Sequence, residues 1–520
     1  MELIRRLTPE QQFTVDAFAK ERLLKVNAFA GTGKTSTLLA IAKSTKERGI
    51  YLAFNKAIAE EVKRKSPNKR LDSRTTHGLA ILSFWDKGYS QEKLTTNLQG
   101  NRIVHDLGYG DLSLDEKVTL KSRSLGFIVS ICLKNFCQSS DKKPNRTHVP
   151  ILGRLQVLSP MYQLEFKDYI LKLSIHLWER MADPLDPLPL GHDGYLKLWS
   201  LNSPQLPFDY ILLDEAQDTN EAVLSVLLSQ ANKVVFVGDK HQQIYEWRGA
   251  INAMSKVKNA FETHLTQTFR FGESIADCAN IALKALGEER SLRGSQDVSS
   301  RVSRTGDAVA FISRTNAGVL ESIIRLHKTT HPVNVLGGTN EMQLLLEDVD
   351  RLKNNNPAAT HDLFGFSSWQ EVCEFSESDE GQSLRAFVKL VENHGEKYLL
   401  RQLSNCTDVI NEKTRFVSTA HKAKGREWDS VELSSDFLLS QDKKALKLED
   451  SEETRLLYVS ATRARFNLVL PENLHQLLAS NLPPANDTNT FTRLGGSLLT
   501  EQSQAKKRTV PALPDFIKPI

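Results

Sequence analysis

The chain is short of several things, and each shortage excludes something. Five cysteines in 520 residues (Cys132, Cys137, Cys278, Cys373 and Cys406) are few, odd in number and scattered. This argues against a disulfide framework and for free thiols in a reducing compartment. Cys132 and Cys137 have no second ligand pair nearby, so zinc is not expected. No run of ~18 apolar residues occurs, so no membrane span or membrane partner is expected. The segment MELIRRLTPEQQ lacks an apolar signal core, and the expected setting is intracellular and cytoplasmic, nucleoid-associated in a prokaryote. Excess charge is missing too: Lys+Arg 67 against Asp+Glu 63 leaves +4. Any nucleic-acid surface must therefore come from local clustering. No cluster of acids with a lysine marks a nuclease.

One more thing is missing, and it is informative. The stretch VNAFAGTGKTST, residues 26–37, follows the phosphate-loop pattern G-x-x-x-x-G-K-[ST] except that Ala28 stands where the first glycine belongs. Its context is right. LLKVNAF reads as a buried strand, and KTSTLLAIAKSTKERG reads as a helix closed by Gly49. Gly31 and Gly33 let backbone N–H groups approach phosphates at a helix N-terminus. The candidate ATP cradle is Ala30, Gly31, Thr32, Gly33, Lys34, Thr35 and Ser36, with Lys34 on the β- and γ-phosphates and the Thr35 hydroxyl on Mg²⁺. FDYILLDEAQDTN adds a second buried strand ending in two acids. Asp214 is the candidate Mg²⁺ ligand, directly or through water, and Glu215 the candidate base for the attacking water. KVVFVGDKHQQIYEWRGA supplies a third strand, whose polar end faces the crevice where open α/β sheets bind ligands.

At 520 residues, two to four domains are expected. DEAQD, then VGDKHQQIYEWRGA, then LTQTFRF together resemble the UvrD/Rep type of superfamily 1A helicase. LTPEQQ, YLAFNKAIAEEV, TTHGLA, FISRTNAGVL, VSTAHKAKGREWDSVEL and EETRLLYVSATRAR resemble the remaining motifs in family order. Within it, AFAGTGKT, YLAFNKAIA and the small insertions resemble the compact F-box DNA helicase group. In this family the first loop position is often alanine.

The resemblance implies an α/β fold of two RecA-like parallel-sheet motor domains with mostly helical insertions. It places motor domain 1A at residues 1–80 and 206–274, a 1B-like insertion at 81–205, motor domain 2A at 275–339 and 411–483, a small 2B-like insertion at 340–410, and a polar tail at 484–520. It implies that Gln11 bonds the adenine edge and Phe269 stacks on it. Gln242 senses the γ-phosphate, Arg270 and Arg463 are arginine fingers from the two domains, Glu427 contacts the ribose, and Lys424 or Gly425 the phosphate side. The implied partner is single-stranded DNA and its junctions with duplex. Phe54, Tyr245 and Trp247 would stack on bases, and Asn55, Lys56, Thr76, His77, Arg248 and His421 would make polar contacts. A protein partner is expected at the tail or the 1B-like insertion.

The implied activity is an ATP-dependent helicase moving 3′→5′, with polarity carried by the resemblance alone. The alternatives are a DNA-stimulated ATPase or translocase subunit with weak unwinding, favoured by the small 2B position, and a DNA-binding scaffold without turnover, disfavoured by the intact set Lys34, Asp214, Glu215, Gln242, Arg270 and Arg463. The run EVKRKSPNKR, residues 61–70, is a local basic cluster that reads as a solvated face or as a DNA contact.

Overall fold

The computed structural model describes residues 6–480 apart from 67, 85–86, 99, 109, 114–118, 121, 153–154, 156–157, 245–252, 357, 359, 361–362, 364–365, 367, 378–380, 438–447 and 449–450. Tyr245, Trp247, Arg248 and the segment 484–520 lie outside the described residues.

The first half of the chain forms strands β1 (Leu23–Ala28), β2 (Gly49–Ala53), β3 (Leu71–Thr75), a short hairpin β4 (Leu112–Ser113) and β5 (Thr119–Leu120), then β6 (Tyr210–Leu213), β7 (Lys233–Gly238) and β8 (Phe261–Leu265). Six of these make one sheet in the order β3-β2-β6-β7-β1-β8, parallel throughout. Parallel strands covered on both faces read as continuous apolar runs, and every residue of β2 and β6 is buried. The second half forms β9 (Arg301–Ser303), β10 (Ala310–Ser313), β11 (Val333–Val335), β12 (Arg415–Thr419), β13 (Trp428–Leu433) and β14 (Ala464–Val469). They build a second parallel sheet, ordered β11-β12-β10-β13-β14-β9. The fold is α/β with two parallel six-stranded sheets, as expected of two RecA-like units.

One face of the first sheet packs on helices Pro9–Lys20, Lys34–Ser44 and Lys56–Lys65 through Phe18, Leu38, Ile41 and Val62. The other face buries Ile50, Leu52, Ile211, Leu213 and Phe236 against the helices between β3 and β6, chiefly Ser122–Gln138, Pro160–Ala182 and Gly191–Leu201. Those helices therefore share one core with the sheet. Between β11 and β12 lie four helices, Asn340–Lys353, Trp369–Ser376, Gln382–His394 and Glu396–Ser404, packed on Asn316–Leu326. The two sheet units join through a further core in which Phe29, Ala30 and Ile244 meet Leu456, Leu457 and Tyr458.

The strand order decides where the chemistry gathers. Strands β6, β7 and β1 are neighbours, with β8 beyond β1. Their carboxyl ends carry DEAQD, GDKHQQ, the phosphate loop and TQTFRF side by side. Ala28 ends β1 buried and in register with Leu265. It needs no left-handed backbone, so a small L-residue suffices where the pattern asks for glycine.

Candidate nucleotide and nucleic-acid site

The loop after β1 turns on two glycines. Gly31 has φ +72° and Gly33 φ +81°, the left-handed region where a side chain is strained. A Cβ on Gly31 would sit 2.4 Å from Thr268 Oγ1 and 2.7 Å from Arg270 Cβ. One on Gly33 would sit 2.9 Å from Gln11 Nε2 and 3.4 Å from a ring carbon of Phe269. These contacts bring Gln11 and Phe269 together beside the loop. Gln11 is fixed by a capping box: its Oε1 accepts from Thr8 N at 3.0 Å, and its N–H donates to Thr8 Oγ1 at 3.2 Å. The buried Thr32 hydroxyl donates to Phe29 O, and Ser36 is exposed.

Lys34 Nζ lies 3.0 and 3.1 Å from the two carboxylate oxygens of Glu215. Thr35 Oγ1 lies 3.4 Å from Asp214 Oδ2, which also accepts a short hydrogen bond from Tyr51 OH. Glu215 adopts φ 50°, ψ 44°, a left-handed conformation in a non-glycine residue. Such backbone strain persists where surrounding contacts over-determine it, and it clusters at functional sites. Here the backbone N–H of Glu215 donates to Asp214 Oδ1, and Gln217 Nε2 donates to its carboxylate.

The electrostatics separate the two acids. Burial alone would raise Glu215, but Lys34 and Lys424 outweigh it and hold the carboxyl at about 2. Asp214 is raised by burial and by the charge of Glu215, with Lys34 offsetting only part. Burial pulls Lys34 down, yet Glu215, Asp239 and Asp214 together leave it above its ordinary value. The donors fit Mg²⁺. Thr35 Oγ1 and Asp214 are hard oxygen ligands, and Mg²⁺ at phosphate sites takes one or two carboxylates plus substrate phosphates. Among the described residues no group of three or more His, Cys, Asp or Glu side chains could hold a metal without such help.

The second sheet unit closes the site. Arg463, 2% exposed, donates to Gln242 Oε1 at 3.4 Å and to Val459 O at 2.7 Å. Burial and the neighbouring Arg270 lower its pKa to about 9. Gln242 Nε2 is held by Asp239 Oδ2 at 2.8 Å. Arg270 donates to Glu427 at 2.6 Å and to Thr462 O at 3.0 Å. Lys424 Nζ lies 2.7 Å from both Asp218 oxygens and also donates to Gln242 O. In this arrangement the amine is engaged with protein groups, whereas the resemblance offered it, or Gly425 (φ +81°), to phosphate. The sequence reading missed Tyr51, Asp218, Asp239 and Tyr458. Tyr458 OH donates to Asp239 Oδ2 at 2.9 Å and accepts from Ala30 N at 3.1 Å, tying the second unit to the loop.

The described nucleic-acid candidates also sit at strand ends. Phe54, just after β2, is 53% exposed. Asn55 caps helix Lys56–Lys65 by accepting from Ile58 N at 2.9 Å, and Lys56 is exposed. Thr76 and His77 follow β3. His77 is half-buried, edge-on to His192 and Tyr195, and burial lowers its pKa. His421 follows β12, 3.7 Å from Glu452. Phe54, Asn55, Lys56, Thr76 and His77 thus share the carboxyl edge of the first sheet, and His421 holds the equivalent edge of the second.

Comparison with known proteins bears on the whole assembly. Residues 7–262 match the UvrD/REP helicase N-terminal domain, and residues 366–474 match the UvrD-like helicase C-terminal domain. The chain is 30% identical to F-box DNA helicase 1 of Gallus gallus, over 91% of this chain and 50% of that protein. It is 31% identical to F-box DNA helicase protein 1 of Schizosaccharomyces pombe, over 95% of this chain and 60% of that protein. It is 24% identical to the ATP-dependent DNA helicase PcrA of Leuconostoc citreum, over 63% of this chain and 41% of that protein. The chain therefore spans only about half to three-fifths of the F-box relatives' length. Both family halves are present in order on two parallel sheets that share one cleft, and the chain belongs to the UvrD-like helicase family.

Proposed function

We propose that this chain is an ATP-driven DNA helicase or translocase that moves 3′→5′ along single-stranded DNA and hydrolyses ATP between its two sheet units. The observation that carries the reading is the meeting of Gln242 with Arg463 and of Lys424 with Asp218, which links groups from both units around Lys34, Asp214 and Glu215. In the structure Lys34 neutralises Glu215 and Glu427 neutralises Arg270. Phosphates entering the loop compete for Lys34 and Arg270. Glu215, ionised and released from Lys34, then takes a proton from the attacking water. Thr35 Oγ1 and Asp214 would hold Mg²⁺, which would supply charge neutralisation for the phosphates when bound. Arg270 and Arg463 come from opposite sides, so full charge stabilisation needs a shut cleft and hydrolysis permits it to open. The names of the F-box and PcrA relatives support DNA as the track, with the exposed Phe54 as a stacking platform.

Strand displacement on 3′-tailed and 5′-tailed duplexes tests the proposal. Unwinding of the 3′-tailed substrate alone supports it, and unwinding of the 5′-tailed substrate alone refutes the polarity. DNA-stimulated turnover without displacement favours the second reading, a translocase with weak unwinding. That reading draws on the small insertion between β11 and β12, whose four helices lie within Asn340 to Ser404.

A further inference from the structure

The basic run at residues 61–70 is not absorbed by the site above. Its end packs against the turn after helix Lys34–Ser44 to form a concave surface of about 370 Å³, lined by Lys43, Thr45, Lys46, Asn68, Lys69 and Arg70. Four of the six are cations and none is an acid. All four cations are exposed, and none has a carboxylate within 4 Å among the described residues. The nearby acidic Asp209 accepts from Arg48 N, and Glu47 stands outside the lining.

The frame beneath them is fixed. Asn68 Nδ2 donates to Ala42 O at 3.1 Å, Thr45 O at 3.3 Å and Tyr210 OH at 3.3 Å, while its Oδ1 accepts from Arg70 N at 2.9 Å. The Ser66 hydroxyl donates to Asn68 O and accepts from Asn68 N, and Arg70 Nη1 donates to Lys46 O at 3.3 Å. The two turns are therefore cross-linked, so the cations are presented from a preorganised surface.

The place is also distinct. The surface lies at the amino ends of β2 and β3, beside Gly49 and Leu71, whereas Lys34, Asp214 and Phe54 lie at carboxyl ends. Helix Lys34–Ser44 separates Lys34 from this surface by about 15 Å.

We infer that this surface is a second nucleic-acid site that binds the backbone phosphates of duplex DNA without reading sequence. Sites for single strands combine charge with aromatic platforms, and no aromatic ring lines this one. Protein partners need apolar or aromatic anchors at the centre of the contact, and this surface offers none. Cations carried on a fixed frame, with no acid among the lining residues, match the regular, dense phosphates of a stiff duplex. The inference stands apart from the nucleotide-site reading, because it concerns the opposite edge of the sheet.

The test is the full chain carrying Lys43→Gln, Lys46→Gln, Lys69→Gln and Arg70→Gln together, with Lys43→Gln/Lys69→Gln as a milder variant that keeps the Arg70 bond. Binding to a blunt duplex is measured between about 50 and 200 mM salt. The slope of log affinity against log salt should fall by about 2 to 3 in the fourfold variant and by about 1 to 2 in the pair. ATP turnover at saturating short oligothymidylate should not change, and lysine-to-arginine versions should keep the wild-type slope. Unchanged slopes in both variants overturn the inference. So does a variant that binds duplex normally but loses a poly-glutamate peptide, since that assigns the surface to an acidic protein.

Discussion

Removing Lys424 should open the cleft. Its ammonium and the Asp218 carboxylate are 8% and 2% exposed and 2.7 Å apart, one from each sheet unit. Taking away one partner of a buried pair costs about 3–5 kcal/mol if nothing moves. The chain can move, since swinging the second unit away hydrates Asp218. At ~1.4 kcal/mol per tenfold, even the lower figure shifts closed against open by roughly two powers of ten. The carboxyl sets the pH dependence. Burial raises Asp218 to about 6, with Lys424 offsetting part of that rise. Its folded pKa is therefore above the unfolded value. The stabilisation from protonation is full below about 4 and is lost as pH rises through about 6. In Lys424→Met the carboxyl climbs further and takes up a proton near neutrality, which limits the cost there and restores it in alkali.

The assay is a double-mutant cycle of Asp218→Asn, Lys424→Met and the pair, read by urea unfolding and by a fluorescence distance across the cleft. Each single change should lengthen the distance without nucleotide and raise KM for ATP. The double variant should lie closer to wild type than either single one, with a coupling energy of about 2 kcal/mol within the range for contacting residues. Additive effects within about 0.5 kcal/mol, or an unchanged distance in both single variants, would refute the reasoning.

Three further outcomes follow from the site. Gly31→Ala forces a left-handed alanine whose Cβ meets Thr268 Oγ1 at 2.4 Å, so nucleotide affinity measured by titration should drop at least tenfold, about 1.4 kcal/mol. Glu215→Gln should lower turnover by about 10²–10⁴ while ATP binding persists. Phe54→Ala should weaken single-strand binding by about 1–3 kcal/mol for a lost stack, measured by anisotropy, and leave ATP binding intact.

What could be read from the residues and what could not divide along a physical line. A phosphate loop is local: its glycines, lysine and hydroxyl must be contiguous because one turn of backbone wraps the ligand, so Gly31 to Thr35 were legible as a string. Asp214 and Glu215 were legible for the same reason, at the end of an all-buried strand. Tyr51 and Tyr458 were not. Each lies in a buried apolar run, where a tyrosine reads as core, and its hydroxyl finds its partner far along the chain, Tyr458 on Asp239 across 219 residues. Asp218 stands in plain view within DEAQD, but its role is not legible there, because only the packing of the second unit brings Lys424 to it. The groups hidden from sequence are thus mainly those that hold one unit against the other: Tyr458 on Asp239 and the loop, and Lys424 on Asp218. A motif needs only to bind the nucleotide, but a motor must also register whether its cleft is shut. That information resides in contacts formed between distant segments: the resemblance supplies Gln242, Arg270 and Arg463, and the fold adds the Tyr458 and Lys424 contacts that hold the two units together.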